Sequence, residues 1–332
     1  MVLKSKKKVI FSAIQPTGNL TIANYVGTLM HWASFQKNYE CFYCIADLHC
    51  LTNRHNVIDL KKNVLDTLAI YLASGIDPNQ CSVFVQSHIY EHSQLFWILS
   101  CYASFGELSR MTQFKIKSAK DNNIGLFNYP LLMASDILLY QSDYVPIGRD
   151  QLQHLELTRH LAVRINTSYE LMFTVPSAII SSRGGKVFAL QAPLKKMSKS
   201  DINMNNSIFL LDTLEMIIKK IRKSTTDSEQ PPKIYYDPIN KPGISNLLNI
   251  YSILEDIEVS TLEKQFFGMN YQEFKCVVSD TVTKKLESFQ KNYVLYRRDE
   301  SYLKDIAYHG ANKARDKAKQ TLDTVMHYFN LR

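Results

Sequence analysis

Short apolar runs recur along the first half of the chain, at residues 9–14, 41–46, 82–86 and 143–147. They are strand-length and rich in Val, Ile, Phe and Tyr, and so are strand candidates, the run at 41–46 reading as a buried strand. Between them lie stretches with apolar residues at helical spacing, notably 57–74, 92–102 and 151–165. Strands alternating with helices predict an α/β fold, a doubly wound parallel sheet with crossover helices. In such sheets ligands sit outside the carboxyl ends of the strands. Residues 16–18, 47–49, 86–88 and 146–150 all follow predicted strands and line one predicted crevice. From Ser207 the texture is helical almost throughout, broken at 225–232, at 241–243 and near Gly268. The expected organisation is therefore an α/β domain over 1–206 and an all-helical domain over 207–332.

Composition narrows the class. The 332 residues are 45% hydrophobic and 21% charged, as in an ordinary globular protein with a sizeable core. No apolar run approaches the roughly 18 residues of a membrane span. The basic residues Lys4, Lys6, Lys7 and Lys8 precede only a short apolar run, too brief for a secretory leader, so a cytoplasmic protein is expected. The net charge of +8 lies mostly before residue 207 and forms no stripe, which permits an RNA partner without establishing one. Lys313, Arg315, Lys317 and Lys319 alternate around the last predicted helix and read as a solvated surface. Six cysteines without a leader imply reduced thiols. The Cys41-x-x-Cys44 spacing suggests zinc, but residues three apart on a strand point to opposite faces, so no metal site is expected.

Two segments carry the chemistry. Lys196-Met-Ser-Lys-Ser200 sets two cations in a small polar stretch suited to closing over a polyphosphate. Pro16-Thr-Gly-Asn-Leu-Thr-Ile-Ala-Asn24 follows the first strand and is predicted to open a helix at Thr21, where unpaired backbone N–H groups favour phosphate.

These two segments resemble the paired signatures of the class I aminoacyl-tRNA synthetases, and the detail is similar to the tryptophan-specific, bacterial-type family. Further matching stretches are Phe11–Gly18, Cys44–His49, Gly106–Lys115, Tyr129–Tyr140, Val145–Gln151, Thr226–Glu229 and Lys241–Leu248. The resemblance spans residues 8–330 and is most specific to tryptophan over 129–140. It implies a Rossmann-like catalytic domain with a dimer-forming helical insertion about 80–125, where Trp97, Tyr102 and Phe105 supply apolar area. The helical domain is then the tRNA anticodon-binding part. It implies that L-tryptophan and ATP with Mg2+ give tryptophanyl-adenylate and pyrophosphate, and that the tryptophanyl group passes to the 3′ end of tRNA(Trp). The implied partners include a second copy of the chain, but neither a membrane nor DNA, and no cofactor stays permanently bound.

The same resemblance implies the site. Lys196, Lys199, Lys115 and Lys117 act on the phosphates. Gln15, Pro16, Thr17, Ala23, Asn24, Gly148, Arg149, Asp150 and Val187 bind ATP together with Lys196, Met197, Ser198, Lys199 and Ser200. Tyr129, Met133 and Asp136 share one helix face by spacing, and in the family that face holds tryptophan, with the aspartate accepting the indole N–H. A bare carboxylate on an apolar helix would be costly without a partner. Phe11, His49, Val145, Ile147 and Gln151 complete the tryptophan pocket by resemblance. Read alone, Asp150 is equally a helix N-cap. Ala13 and Ala23 stand where the family usually has glycine, and Arg149 where it usually has glutamate. A tRNA-independent adenylate-forming enzyme, a tyrosine enzyme and a catalytically weak binding paralogue are the alternative readings.

Overall fold

The computed structural model describes residues 7–331 apart from 19, 54–57, 119–122, 171, 181–186 and 200. In chain order, β1 is Val9–Ile14 and α1 is Ile22–Asn24, which passes through a π-helical turn at Tyr25–Leu29 into α2, Met30–Phe35. β2 (Glu40–Ile45), α3 (Leu60–Ala73) and β3 (Ser82–Val85) follow. Four helices come next: α4 (Glu91–Tyr102), α5 (Phe105–Ser109), α6 (Thr112–Lys117) and α7 (Ile124–Leu138). β4 (Tyr144–Ile147), α8 (Leu152–Tyr169) and β5 (Ser177–Ile180) complete the α/β part. Helices α9 (Leu214–Arg222), α10 (Pro242–Glu255), α11 (Val259–Gln265), α12 (Tyr271–Arg298) and α13 (Glu300–Tyr328) end the chain.

All five strands are parallel, in the order β3-β2-β1-β4-β5. Four of them match the predicted runs. β5 was not anticipated, because Ser177-Ala-Ile-Ile180 is short and mostly exposed, so it carries little periodic signal. Strand order reverses between β1 and β4, the switch point at which ligands bind in such sheets. Phe11, Phe42, Cys44, Phe84 and Val145 form one face and pack with Leu95 and Leu99 of α4, Leu131 of α7, and Leu155 and Leu161 of α8. On the other side α3 is tied down where the Tyr71 hydroxyl donates to the Cys44 carbonyl, 3.0 Å away. Burial on both faces explains the continuous apolar runs.

The compact units do not part at a single boundary near 206. One comprises Met1–Thr17, Ala33–Ile180 and Tyr296–Arg332; the other comprises Gly18–Trp32 and Ser181–Leu295. The last helix thus belongs with the sheet. α13 lies along β3, an edge strand, and covers backbone that would otherwise be unpaired. The approach is so close that a Cβ on Gly310 would stand 1.9 Å from the Val83 carbonyl oxygen. Arg315 is held there too, its guanidinium donating to the His88 carbonyl at 2.6 Å and to Asn312 at 3.0 Å, so it is not part of a solvated face.

In the second unit, α10 starts at Pro242, and Gly243 leaves room for the Thr225 carbonyl, which a Cβ would meet at 1.9 Å. Lys241, only 4% exposed, donates to Asp227 at 2.9 Å and to Tyr271 at 2.8 Å and pairs with Glu229 at 2.5 Å. The breaks read from the sequence at 225–232 and 241–243 are therefore joined to each other.

Two outcomes test this packing. Gly310→Ala is expected to lower stability by about 3 kcal/mol, because neither the helix nor the strand backbone can yield easily; equilibrium denaturation that matches the parent would contradict the close approach. In the first unit, Glu107 caps α5 through Ser104 and accepts from Arg164 of α8 at 2.7 Å. The Arg164 guanidinium holds the Glu107 carboxyl at about 2, against an ordinary 4.5, with partial burial opposing and Ser104 assisting. A depressed carboxylate stabilises the fold above its unfolded value and loses that contribution as pH falls. Glu107→Gln is therefore expected to flatten the acid limb of the stability curve between about 4.5 and about 2 while leaving its shape near neutrality unchanged.

Candidate active site

The face of α7 shared by Tyr129, Met133 and Asp136 points into the first unit near the carboxyl ends of the strands. The helix is mostly apolar in sequence, and Asp136 is only 2% exposed. The expected bare carboxylate is in fact met by three donors. His49, just after β2, donates through Nε2 to Oδ2 at 2.9 Å. Gln86, just after β3, donates through Nε2 to Oδ1 at 2.7 Å, and His92 of α4 donates through Nδ1 to the same oxygen at 2.7 Å. Burial pushes this carboxyl up, but the bonds from His49 and His92 outweigh it and hold the group well below the usual carboxylate range. Asp136 is thus an anion that can only accept.

Gln86, His92 and Tyr140 were missed as site residues. His92 Nε2 meets the Tyr140 hydroxyl at 2.8 Å, and Tyr140 stacks on Phe11 and Phe42 with centroids 5.3 Å and 4.7 Å away. The signals available are that 86–88 follows a strand and lines the predicted crevice and that Tyr140 closes the 129–140 stretch; nothing local marks His92 as facing a residue 44 positions later.

A second polar chain runs beside the first. The Tyr129 hydroxyl contacts His154 Nε2 at 2.9 Å, His154 Nδ1 contacts Gln151 Oε1 at 2.8 Å, and Gln151 Nε2 donates to Asp150 Oδ2 at 2.9 Å. The carboxylate orients the Gln151 amide, and the amide oxygen then takes the His154 Nδ1–H; in the neutral ring Nε2 accepts from the Tyr129 hydroxyl. Burial, with Asp150 adding to it, pushes the Tyr129 phenol up, so it keeps its proton. The rings of Tyr129 and His49 meet edge to face at 6.3 Å, which brings the two chains together. Met133 and Ile147 are half-buried beside them, whereas Phe11 and Val145 lie in the core of the sheet.

Gln15, Pro16 and Thr17 end β1, and Gly148, Arg149 and Asp150 end β4, so both groups flank the switch point. Asp150 is not the N-cap of α8. Gln151 holds that place, and Asp150 lies in the short helical turn before it. A Cβ on Gly148 would come within 2.6 Å of Asp150 Oδ1, so glycine leaves space for that side chain. Lys115 is exposed on α6, and Lys117 closes the same helix.

The remaining expected nucleotide residues lie in the second unit. Three of the N–H groups at the helix start, those of Thr21, Ile22 and Asn24, are engaged within the protein. The Thr21 N–H and hydroxyl both contact Asn24 Oδ1 at 3.0 Å, the Ile22 N–H goes to the Ile208 carbonyl at 2.9 Å, and the Asn24 N–H to the Thr21 carbonyl at 3.0 Å. The Asn24 side chain takes the Thr21 donors, and backbone carbonyls take those of Ile22 and Asn24. Ala23 is buried beside them. Residues 187–197 form a pinned hairpin rather than a loose stretch: Phe188 bridges Lys196, the Met197 N–H donates to the Val187 carbonyl at 3.2 Å, and the Met197 side chain is buried. This arrangement presents Lys196 and Ser198 outward, with Lys199 half-buried; Ser200 lies outside the described residues.

The chain matches the model of the tRNA synthetases class I (W and Y) over residues 3–287. It is 57% identical over 327 residues, 97% of either chain, to a tryptophan–tRNA ligase of Buchnera aphidicola subsp. Schizaphis graminum. Its structure is similar to that of a Mycoplasma pneumoniae tryptophanyl-tRNA synthetase, with a TM-score of 0.90 and 36% identity over 98% of both chains. A Campylobacter jejuni tryptophanyl-tRNA synthetase, solved with ADP and tryptophan, gives a TM-score of 0.83 and 30% identity over 97% of this chain and 99% of that one.

Proposed function

This chain belongs to the class I tRNA synthetases of the tryptophan and tyrosine group, and from that premise we propose that it joins L-tryptophan to tRNA(Trp) at the expense of ATP. The observation that carries the choice of amino acid is Asp136, an ionised buried acceptor on the α7 face beside Met133, suited to a ring N–H.

In the first step the tryptophan carboxylate attacks the α-phosphorus. A carboxylate–phosphorus bond forms, the bond to the bridging oxygen breaks, and pyrophosphate leaves with the electron pair. No enzyme nucleophile or strong base is required; alignment and stabilisation of the leaving charge suffice. We assign that stabilisation to Lys196 and Lys199, with Lys115 and Lys117, and tryptophan binding to Tyr129, Met133, Asp136, His49, Gln151 and Ile147. In the second step a hydroxyl of the terminal adenosine attacks the carbonyl and AMP leaves. Gln15, Pro16, Thr17, Gly148, Arg149 and Asp150 are assigned to ATP in the first unit. Ala23, Asn24, Val187 and the segment from Lys196 to Ser200 are assigned to it in the second.

Mg2+ is assigned to the phosphates of ATP, the substrate with which it would enter. We assign tRNA contact to the helical part after residue 207. Trp97 and Phe105, 69% and 77% exposed, support pairing of two copies through the 80–125 region, whereas Tyr102 is engaged internally with Tyr169 and Phe329. From that function we assign the protein to the cytoplasm; no described helix is long and apolar enough to cross a membrane.

Amino-acid-dependent ATP–pyrophosphate exchange is expected with tryptophan and to be weaker by orders of magnitude with tyrosine or phenylalanine, since a site built around a ring N–H leaves one acceptor position of the buried Asp136 carboxylate unfilled without it. Comparable exchange with tyrosine would sink the assignment, and detection of tryptophanylated tRNA separates this reading from a tRNA-independent enzyme. Lys199→Ala is expected to slow single-turnover adenylate formation about 100-fold while changing the tryptophan Kd less than about twofold. The opposite pattern would assign the lysine to ground-state binding.

A further inference from the structure

We infer that His92 and Gln86 are positioning residues that fix Asp136 as a one-sided acceptor and thereby set the preference for a ring N–H donor. The inference rests on the reading of the α7 face as the tryptophan site and adds to it a pair of residues that do not touch the substrate.

The geometry has a direction at every step. The Leu48 N–H can only donate, and it lies 3.2 Å from Gln86 Oε1. That contact turns the amide nitrogen of Gln86 toward Asp136 Oδ1, 2.7 Å away. His92, with no exposed surface, is held between two groups: the Tyr140 hydroxyl at Nε2 and the Asp136 carboxylate at Nδ1. A carboxylate offers nothing to donate, so Nδ1 carries a proton, and in the neutral ring Tyr140 donates to Nε2. The Ser135 hydroxyl donates to the His92 carbonyl at 2.6 Å, anchoring the same turn of α4 to α7.

Both of these donors converge on Oδ1. The other oxygen, Oδ2, receives only His49 among the described residues. A carboxylate has about four acceptor positions, two on each oxygen, so Oδ2 is the oxygen with capacity for a further donor. With Oδ1 filled by two donors, the carboxylate can neither turn over nor take a proton on that side without breaking a buried bond. Losing one donor leaves a buried anion short of a partner, which favours protonation or rotation. A protonated carboxyl would accept a substrate without an N–H as readily as one with it. Selectivity, rather than affinity in general, is what His92 and Gln86 supply.

The test compares tryptophan with its benzothiophene analogue, in which sulfur replaces the indole N–H, in ATP–pyrophosphate exchange by the full-length protein. The parent is expected to favour tryptophan strongly in kcat/KM. His92→Phe is expected to reduce that ratio at least tenfold, through loss on tryptophan rather than on the analogue. His92→Asn, which keeps a donor near the Nδ1 position, is expected to restore most of it. Should His92→Phe not fold, Gln86→Met serves, because the Leu48 N–H retains its 3.0 Å bond to Asp47. A ratio unchanged in a folded His92→Phe or Gln86→Met variant, with both substrates falling in parallel, would overturn the inference and leave a merely structural role. A parent that uses tryptophan but does not discriminate against the analogue would overturn the acceptor role of Asp136, and a parent inactive with tryptophan would overturn the proposed function itself.

Discussion

A carboxylate that is almost completely buried has to be given donors, and meeting that requirement at Asp136 depends on the whole sheet. Its partners come from the ends of β2 and β3 and from α4, while Asp136 itself is carried by α7. None of these is near it in sequence. They converge because parallel strands deliver all their carboxyl ends to one edge, and because α4 and α7 pack on the same face of the sheet. A slip of one residue in β2 or β3 would turn side chains to the other face and separate His49 or Gln86 from the carboxylate. Fold and site are therefore not separable here: the anion is tolerable only in this topology.

The parts of the fold readable from the chain were those encoded by local period. The buried strands at 9–14, 41–46, 82–86 and 143–147, and the helices after 207, follow from runs and spacing alone. What escaped is long-range. Nothing around Gly310 says that its missing side chain makes room for Val83, more than two hundred residues earlier. The helix containing it reads as one more member of a helical domain, yet the unpaired edge of β3 draws it to the sheet. Alternating charges on the same helix suggest a solvated surface, but Arg315 bonds to the His88 carbonyl. Tertiary demand overrides local texture at these positions.

At the site, residue chemistry was legible but its direction was not. Asp136 stands out in the sequence by the mismatch between its charge and its apolar neighbours, since that mismatch is local. Of its donors, His49 is expected by resemblance and Gln86 only as part of a crevice-lining segment, whereas nothing in the composition around His92 marks it. Conversely, Thr21 and Asn24 have the chemistry of an anion site and the chemistry of a helix start, and the sequence offers no means of choosing. The structure shows each using the other: Asn24 Oδ1 takes the Thr21 donors. Asp150 poses the same ambiguity in reverse, with a side chain suited to capping that instead accepts from Gln151.

Two polar chains meet around the α7 face, and both are orientated from their ends by groups that have only one role. The Leu48 N–H can only donate, so it fixes the Gln86 amide and through it one donor to Asp136. The Asp150 carboxylate can only accept, so it fixes the Gln151 amide, then the His154 tautomer, then the direction of the Tyr129 hydroxyl. Side chains such as Gln, His and Tyr can each serve as donor or acceptor, and a site built from them alone would be a mixture of arrangements. Terminating each chain in a single-role group removes the alternatives at little further structural cost. The two fixed ends also lie in different places, one after β2 and the other after β4 at the switch point. The donor–acceptor pattern offered on the α7 face is thus set from both sides of β1, and its rigidity is a property of the sheet as much as of the residues that face the substrate.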